Sequence, residues 1–311
     1  MCRWDVMTYA DLCVDLVMRA ADVAPEFGQK EKILDSYTAI MGGSCSIFAC
    51  QCAKLGLKTA VVGRLGKDVF SPIVLDELTS AGVDTQFVVL DSNTATGLTC
   101  ILQAPSDRAM LTVLGSIVAV QAADAPEELM ANVRHLHIGS YYLMKQMQSL
   151  YPQLLPGLRS RGVTVSLDTN WDPEERWDGL DELVGLVDIF LPNENEVKAI
   201  TGLDDPWEGA ASLEAKFPVV AVKLGQKGAL ACAGGQRFAA DALSVGFVDA
   251  VGAGDSFDGG FVFGWLNNMP IQDCLRLGCF CGSMNVTKQG GTAGQPTAET
   301  LHDAFGFTDK T

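Results

Sequence analysis

Positive charge is scarce in this sequence: 22 Lys and Arg stand against 38 Asp and Glu in 311 residues, a net charge of −16. Such a surface repels nucleic acid and anionic lipid, so neither is an expected partner. No apolar run reaches the roughly eighteen residues of a membrane span. The opening Met1-Cys2-Arg3-Trp4-Asp5 leads into no uninterrupted apolar stretch of leader type, so the expected compartment is the cytoplasm. Histidine is rare too. His135, His137 and His302 form no H-E-x-x-H, and the ten cysteines include no C-x-x-C, so the zinc patterns are missing. Cys45, Cys50, Cys52, Cys274, Cys279 and Cys281 sit inside apolar helical patterns, where free thiols behave as small hydrophobes rather than as a disulfide framework.

What is present is a large apolar fraction, 48%, with 32 Gly and 12 Pro. That suits one globular domain over residues 1–311 with a substantial core. Thr59–Arg64, Val133–Gly139, Val163–Asp168, Val187–Leu191 and Val219–Leu224 read as buried strands. Ser44–Leu57, Asp68–Ala81, Gln146–Arg161 and Glu194–Thr201 carry apolar residues at helical spacing. Alternation of this kind predicts an α/β fold: a mostly parallel sheet with helices on both faces and a ligand site beyond the carboxyl ends of the strands. Leu12–Met18 and a hairpin over Thr96–Leu114, turning at Ala104-Pro105-Ser106-Asp107-Arg108, break the alternation. Strands inserted at about 12–40 and 95–115 are expected to form a small β-sheet lid. Its open face offers a contact for a second copy of the chain.

The strongest local signal is Asp249-Ala250-Val251-Gly252-Ala253-Gly254-Asp255-Ser256-Phe257-Asp258-Gly259-Gly260-Phe261. Small residues let the backbone approach a ligand, and the apolar pattern from Phe257 starts a helix. Unpaired amides and the positive dipole end at a helix start bind anions. Asp255, at the mouth of that site, suits either a helix cap or a general base for an attacking hydroxyl. A dinucleotide fingerprint fails at its third glycine, and G-x-x-x-x-G-K-[ST] is absent.

Asp249–Phe261 resembles the C-terminal signature of the ribokinase (PfkB) family of carbohydrate kinases. Further pieces in the same order resemble its other motifs: Ile40-Met41-Gly42-Gly43 with the helix ending Ala53-Lys54-Leu55-Gly56, Gly63-Arg64-Leu65-Gly66-Lys67-Asp68-x-Phe70, Asp168-Thr169-Asn170, Pro192-Asn193-Glu194-Asn195-Glu196, and Val222-Lys223-Leu224-Gly225-Gln226-Lys227-Gly228. The resemblance implies a ribokinase-like three-layer α/β/α sandwich with a β-sheet lid. It also implies transfer of the γ-phosphoryl group of ATP to a hydroxyl of a sugar, sugar acid or polyol.

Residue by residue, the resemblance makes Asp255 the base and the backbone of Gly252, Ala253 and Gly254 the anion hole. Asn193 and Glu196 help hold Mg²⁺, and Lys223, Gly225 and Gly228 border the nucleotide. Asp15, Gly42, Gly43 and Arg108 meet the substrate, and a monovalent cation is implied near Asp249. An ionised Asp255 is expected in the positive anion hole. Three positions depart from the family pattern: Ile47 where an Asn meets the sugar, Ala250 in place of Thr, and the small neutral Ser140 at another sugar position. Two rivals remain at this point, a nucleoside kinase of the same family and a non-catalytic sugar-binding or regulatory protein on the kinase scaffold. A Rossmann-type oxidoreductase is more distant.

Overall fold

The computed structural model describes residues 3–104 and 108–305. Pro105, Ser106 and Asp107 of the expected lid turn lie outside the described residues. In chain order the elements are β1 (Trp4–Tyr9), β2 (Cys13–Arg19), β3 (Ser36–Gly42), α1 (Ser44–Lys54), β4 (Thr59–Gly66), α2 (Ser71–Ser80), β5 (Asp84–Asp91), β6 (Gly97–Gln103) and β7 (Arg108–Val113). There follow α3 (Glu127–Ala131), β8 (Val133–Ile138), α4 (Lys145–Arg159), β9 (Thr164–Leu167), β10 (Ile189–Phe190), α5 (Glu194–Thr201), α6 (Pro206–Leu213) and β11 (Val219–Lys223). The chain goes on through β12 (Ala229–Ala233), β13 (Gln236–Ala240), α7 (Ala253–Leu266), α8 (Ile271–Asn285) and α9 (Ala298–Phe305).

A nine-stranded sheet in the order β13-β12-β11-β10-β9-β8-β1-β4-β5 forms the centre, and it is parallel from β11 to β5. β12 and β13 extend it antiparallel. The β-branched run of β11 shows why helices cover both faces. Val220 and Val222 pack into one core with α4 and α6, while Val219 and Ala221 face a second core with α7 and α8. Side chains of a strand alternate in direction, so a strand apolar at every position must be covered twice. The result is the expected α/β/α sandwich.

α7 lies unusually close to its neighbours because of Gly259-Gly260. A β-carbon at Gly259 would stand 2.7 Å from Gln51 Cγ of α1, and one at Gly260 would stand 2.6 Å from the Leu277 carbonyl oxygen of α8. The pair therefore fixes the depth of α7, and with it the position of its first turn.

The second sheet, of order β3-β2-β6-β7, takes its strands from both expected insertions. β6 and β7 pair antiparallel, Leu98 with Val113 through Gln103 with Arg108. One carboxylate ties this sheet to the body. Asp68 accepts from the Thr96 amide at 2.8 Å and the Thr96 hydroxyl at 2.9 Å, and it also accepts from the Phe70 amide at 3.0 Å, ahead of α2.

Candidate active site

Five parallel strands end at one crevice: Asp11 follows β1, Ser140 follows β8, Asp168 follows β9, Asn193 follows β10, and Lys223 closes β11. The first turn of α7 faces them. This is where an open α/β sheet gathers ligands.

Gly252 enters α7 with φ +74°, and a β-carbon there would lie 2.7 Å from the Gly291 carbonyl oxygen. Only glycine suits both constraints. At a helix start the first amides have no carbonyl one turn back. The three residues expected to form the anion hole are not equivalent, however. The Ala253 amide already donates to the Ala250 carbonyl at 3.3 Å, which leaves Gly254 and Asp255 as the first-turn amides facing the crevice. The loop is held by the C-terminal part of the chain. Asp249 accepts from the Val251 amide at 3.1 Å and the Gly290 amide at 3.0 Å, and Asn285 Nδ2 donates to the Val251 carbonyl at 2.7 Å.

Asp255 is half-buried and projects between the strand ends and α1. Ser44 Oγ accepts from Asn170 Nδ2 at 2.9 Å, so its own proton is free for its hydrogen bond to the Asp255 carboxyl. Burial and the Asp168 charge push the Asp255 carboxyl up to about 8, against the pull of Lys223. This corrects the expectation of an ionised group. The anion hole supplies dipoles, but burial and the neighbouring Asp168 and Asp11 carboxyls outweigh them and the Lys223 charge.

Lys223 Nζ lies 2.6 Å from Asp168 Oδ2 and 3.1 Å from Asp258 Oδ1, all three side chains being nearly out of water. Burial opposes the charge on Lys223, but Asp168, Asp258 and Glu196 outweigh it and hold the ammonium protonated. Burial equally opposes ionisation of Asp168, yet the Lys223 charge and the hydrogen bonds keep its carboxyl below the usual range. Breaking one member from such a buried set costs about 3–5 kcal/mol.

Asn193 and Glu196 form a reciprocal cap on α5. Asn193 Oδ1 accepts from the Asn195 and Glu196 amides at 2.9 and 3.0 Å, and Glu196 Oε2 accepts from the Asn193 amide at 2.9 Å. Glu196 is buried, and burial with the nearby Asp168 pushes its carboxyl up to about 7. Among the described residues no group of three or more His, Cys, Asp or Glu side chains encloses a metal position. An ion here would draw most of its ligands from water and phosphate.

In the second sheet Asp15 reaches from β2 towards Gly42, and of the expected substrate residues only Arg108 and Asp255 line the polar cavity. Burial pushes its carboxyl up to about 6, and Arg108 at the start of β7 pulls the other way. Gly43 caps α1 with φ +90°. Two positions at which the family pattern meets the sugar are packed away in this chain. Ile47 is 3% exposed and lies against the loop glycines, with its Cγ2 2.9 Å from where a Gly252 β-carbon would stand. Ser140 is 2% exposed, and its hydroxyl donates to Asp11 Oδ2 at 2.5 Å. Asp11 in turn caps α1 by accepting from the Ser44 and Cys45 amides at 3.0 and 2.9 Å. Asp11 and Ser44 carried no motif in the sequence, although a carboxylate directly after an apolar strand run was a usable signal.

Two cavities meet at Lys223, Gly225 and Gly254. One, of about 590 Å³, is largely apolar and lies among Leu243, Val245, Phe247, Phe257 and Gly228. The other, of about 440 Å³, is polar and holds Asp255, Ser44, Asn170, Asn193, Glu196 and Arg108. A flat apolar group with a polyanionic tail fits the first cavity and the junction, which leaves the second for a hydroxylated partner.

Residues 5–298 match the pfkB family carbohydrate kinase profile. The chain is 28% identical over 293 residues to the 2-dehydro-3-deoxygluconokinase of Bacillus subtilis, covering 89% of this chain and 90% of that one. The same fold is found in the adenosine kinase of Sinorhizobium meliloti, with TM-score 0.85, 21% identity and coverage of 97% and 99%. It is also found in an E. coli protein described as ribokinase II in complex with ATP and Mg²⁺, with TM-score 0.84, 24% identity and coverage of 96% and 98%. No helix among the described residues is long and apolar enough to cross a membrane. With the family profile spanning nearly the whole length and the strand-end crevice in place, this chain belongs to the pfkB family of carbohydrate kinases, phosphotransferases with an alcohol group as acceptor.

Proposed function

We propose that the protein transfers the γ-phosphoryl group of ATP to a hydroxyl of a sugar, sugar acid or polyol, with Asp255 as the general base. The observation that carries this reading is the place of Asp255. It stands in the polar cavity beside the Gly254 amide, where the apolar cavity opens onto Lys223. The adenine ring lies in the apolar cavity along Gly225 and Gly228, and the phosphates run over the first turn of α7. The amides of Gly254 and Asp255 and the Lys223 ammonium receive the transferring group, with Gly252 and Ala253 shaping the turn that presents them. Phosphoryl transfer needs positioning and charge stabilisation more than covalent chemistry. Asp255 orients the hydroxyl and accepts its proton as the new bond to phosphorus forms.

The donor set fits Mg²⁺. Asn193 and Glu196 offer only oxygen ligands to a cation, and the carboxyl groups of Asp168, Glu196 and Asp255 outnumber the Lys223 and Arg108 cations of the same cavity. The ion would supply neutralisation of phosphate charge. Near Asp249 the buried Asn285 Oδ1 has no hydrogen-bond partner, which suits a monovalent cation, and K⁺ dependence of turnover tests that.

Asp15, held by Gly42, and Arg108 of the lid line the acceptor side, and closure of the lid excludes water. The outer lid strand exposes Leu111 and Val113, both at 62%, on one face, and that face is where a second copy docks. Free thiols among the described residues and the acidic surface suit the cytoplasm.

The test is a panel of neutral sugars, sugar acids, polyols and nucleosides with MgATP, reading both ADP and the phosphorylated acceptor. A phosphorylated sugar, sugar acid or polyol supports the reading. A phosphorylated nucleoside alone replaces the acceptor class, and binding without turnover of any of them contradicts it.

A further inference from the structure

An ammonium has three donors and no acceptor, so its direction is set by whatever takes the first two. For Lys223 those partners are Asp168 Oδ2 at 2.6 Å and the carboxyl of Asp258 at 3.1 and 3.2 Å. The side chain runs directly under the first turn of α7. Its Nζ, Cδ and Cε are the atoms nearest to a β-carbon placed on Gly254, at 3.6–3.8 Å. The third N–H is therefore left for the junction of the two cavities, both of which Lys223 lines.

Asp258 has no direct part in that junction. It lines neither cavity, is 0% exposed, and sits three residues after Asp255 on the face of α7 turned to β11. A carboxyl is costly to bury at such a site, where an apolar residue would pack without charge. Its contacts are with Lys223 and with the Asp168 carboxyl, to which it is hydrogen-bonded.

We propose that Asp258 is a positioning residue: with Asp168 it fixes Lys223 under the anion loop, so that the remaining ammonium donor points at the terminal phosphates of the nucleotide. This rests on the kinase reading for the identity of the ligand. It adds a residue that touches neither nucleotide nor acceptor. The Asp168–Asp258 contact requires one proton between the two carboxyls. An Asn at 258 reproduces it, with its Nδ2–H donating to Asp168 and its Oδ1 accepting from Lys223.

The test is calorimetric binding of ATP and of AMP to the native protein and to Asp258→Val, Asp258→Asn, Lys223→Met and the Asp258→Val/Lys223→Met double variant. Thermal melts confirm that each is folded. The expected result is a loss of roughly tenfold or more in ATP affinity for Asp258→Val and for Lys223→Met, with AMP affinity within about twofold. Asp258→Asn recovers most of the loss. The double variant is no weaker than Lys223→Met alone, because the two act through one group. A folded Asp258→Val that binds ATP like the native protein overturns the proposal, as does a double variant in which the losses multiply. Should Asp258→Val not fold, Asp258→Asn carries the test: an ATP loss as large as that of Lys223→Met overturns it. Failure of the native protein to bind ATP instead removes the kinase reading itself.

Discussion

Gly42 stands where Asp15 leaves no room for a side chain: a β-carbon on Gly42 would lie 2.6 Å from Asp15 Cγ. The two residues are diagonal neighbours across β2 and β3, where Gly42 pairs with Cys13 and Asp15 with Ile40. Absence of a side chain at 42 thus sets the position of a carboxylate at 15.

Gly42→Ala is therefore expected to displace Asp15 rather than to strain the backbone. Overpacking of this size costs about 1–3 kcal/mol. The cost is expected in acceptor binding, as a KM for the acceptor raised about tenfold with KM for MgATP unchanged. Steady-state kinetics with each substrate varied separately reads the split. An equal rise in both KM values contradicts a role confined to the acceptor.

The raised Asp255 carboxyl gives a pH dependence with a definite sign. A general base works only when ionised, and burial with Asp168 holds this group protonated below about 8. Hence kcat/KM for MgATP, which reports the free enzyme, is expected to rise with pH up to about 8 and to level off above it. Asp11 also pushes Asp255 up, so Asp11→Asn moves the rise to lower pH. A profile flat from pH 6 to 9 contradicts the assignment.

Glu196 has two separable roles. Its Oε2 caps the Asn193 amide at 2.9 Å, a contact that Gln can also make. Its charge is the part that serves a cation. Glu196→Gln is expected to raise the Mg²⁺ concentration for half-maximal activity about tenfold, with the thermal midpoint little changed because such caps are worth about 1 kcal/mol. Mg²⁺ titrations of activity and melting curves read the two effects. Loss of stability with unchanged Mg²⁺ demand makes Glu196 a cap and nothing more.

Much of this arrangement was legible in the sequence because the signals are local. Val219–Leu224 read as a strand and is β11, and the glycines before Asp255 announced a helix start that α7 supplies. Asn193 and Glu196, three residues apart, were readable for the same reason. What escaped depends on contacts between distant residues. Ser140 meets Asp11 across 129 positions and Asn170 meets Ser44 across 126, and neither pair leaves a trace in spacing. Ile47 stands where the family pattern puts an Asn at the sugar, and its departure has a physical reason that spacing does not show: Gly252 and Gly291 leave a hollow against α1 that its side chain fills. Asp258 lay inside the quoted motif and looked like one more polar residue of a helix. Only its contact with Lys223 of β11 gives it a part.

The central claim is that Asp255 takes the proton of the acceptor hydroxyl, and the direct measurement is kcat of Asp255→Asn against the native protein with the best acceptor of the panel. Asn keeps the shape and the hydrogen bond from Ser44 but cannot serve as a base at neutral pH. The account predicts a fall in kcat of about 10²–10⁴-fold with ATP affinity preserved. An Asn variant that phosphorylates the acceptor as fast as the native protein would contradict it.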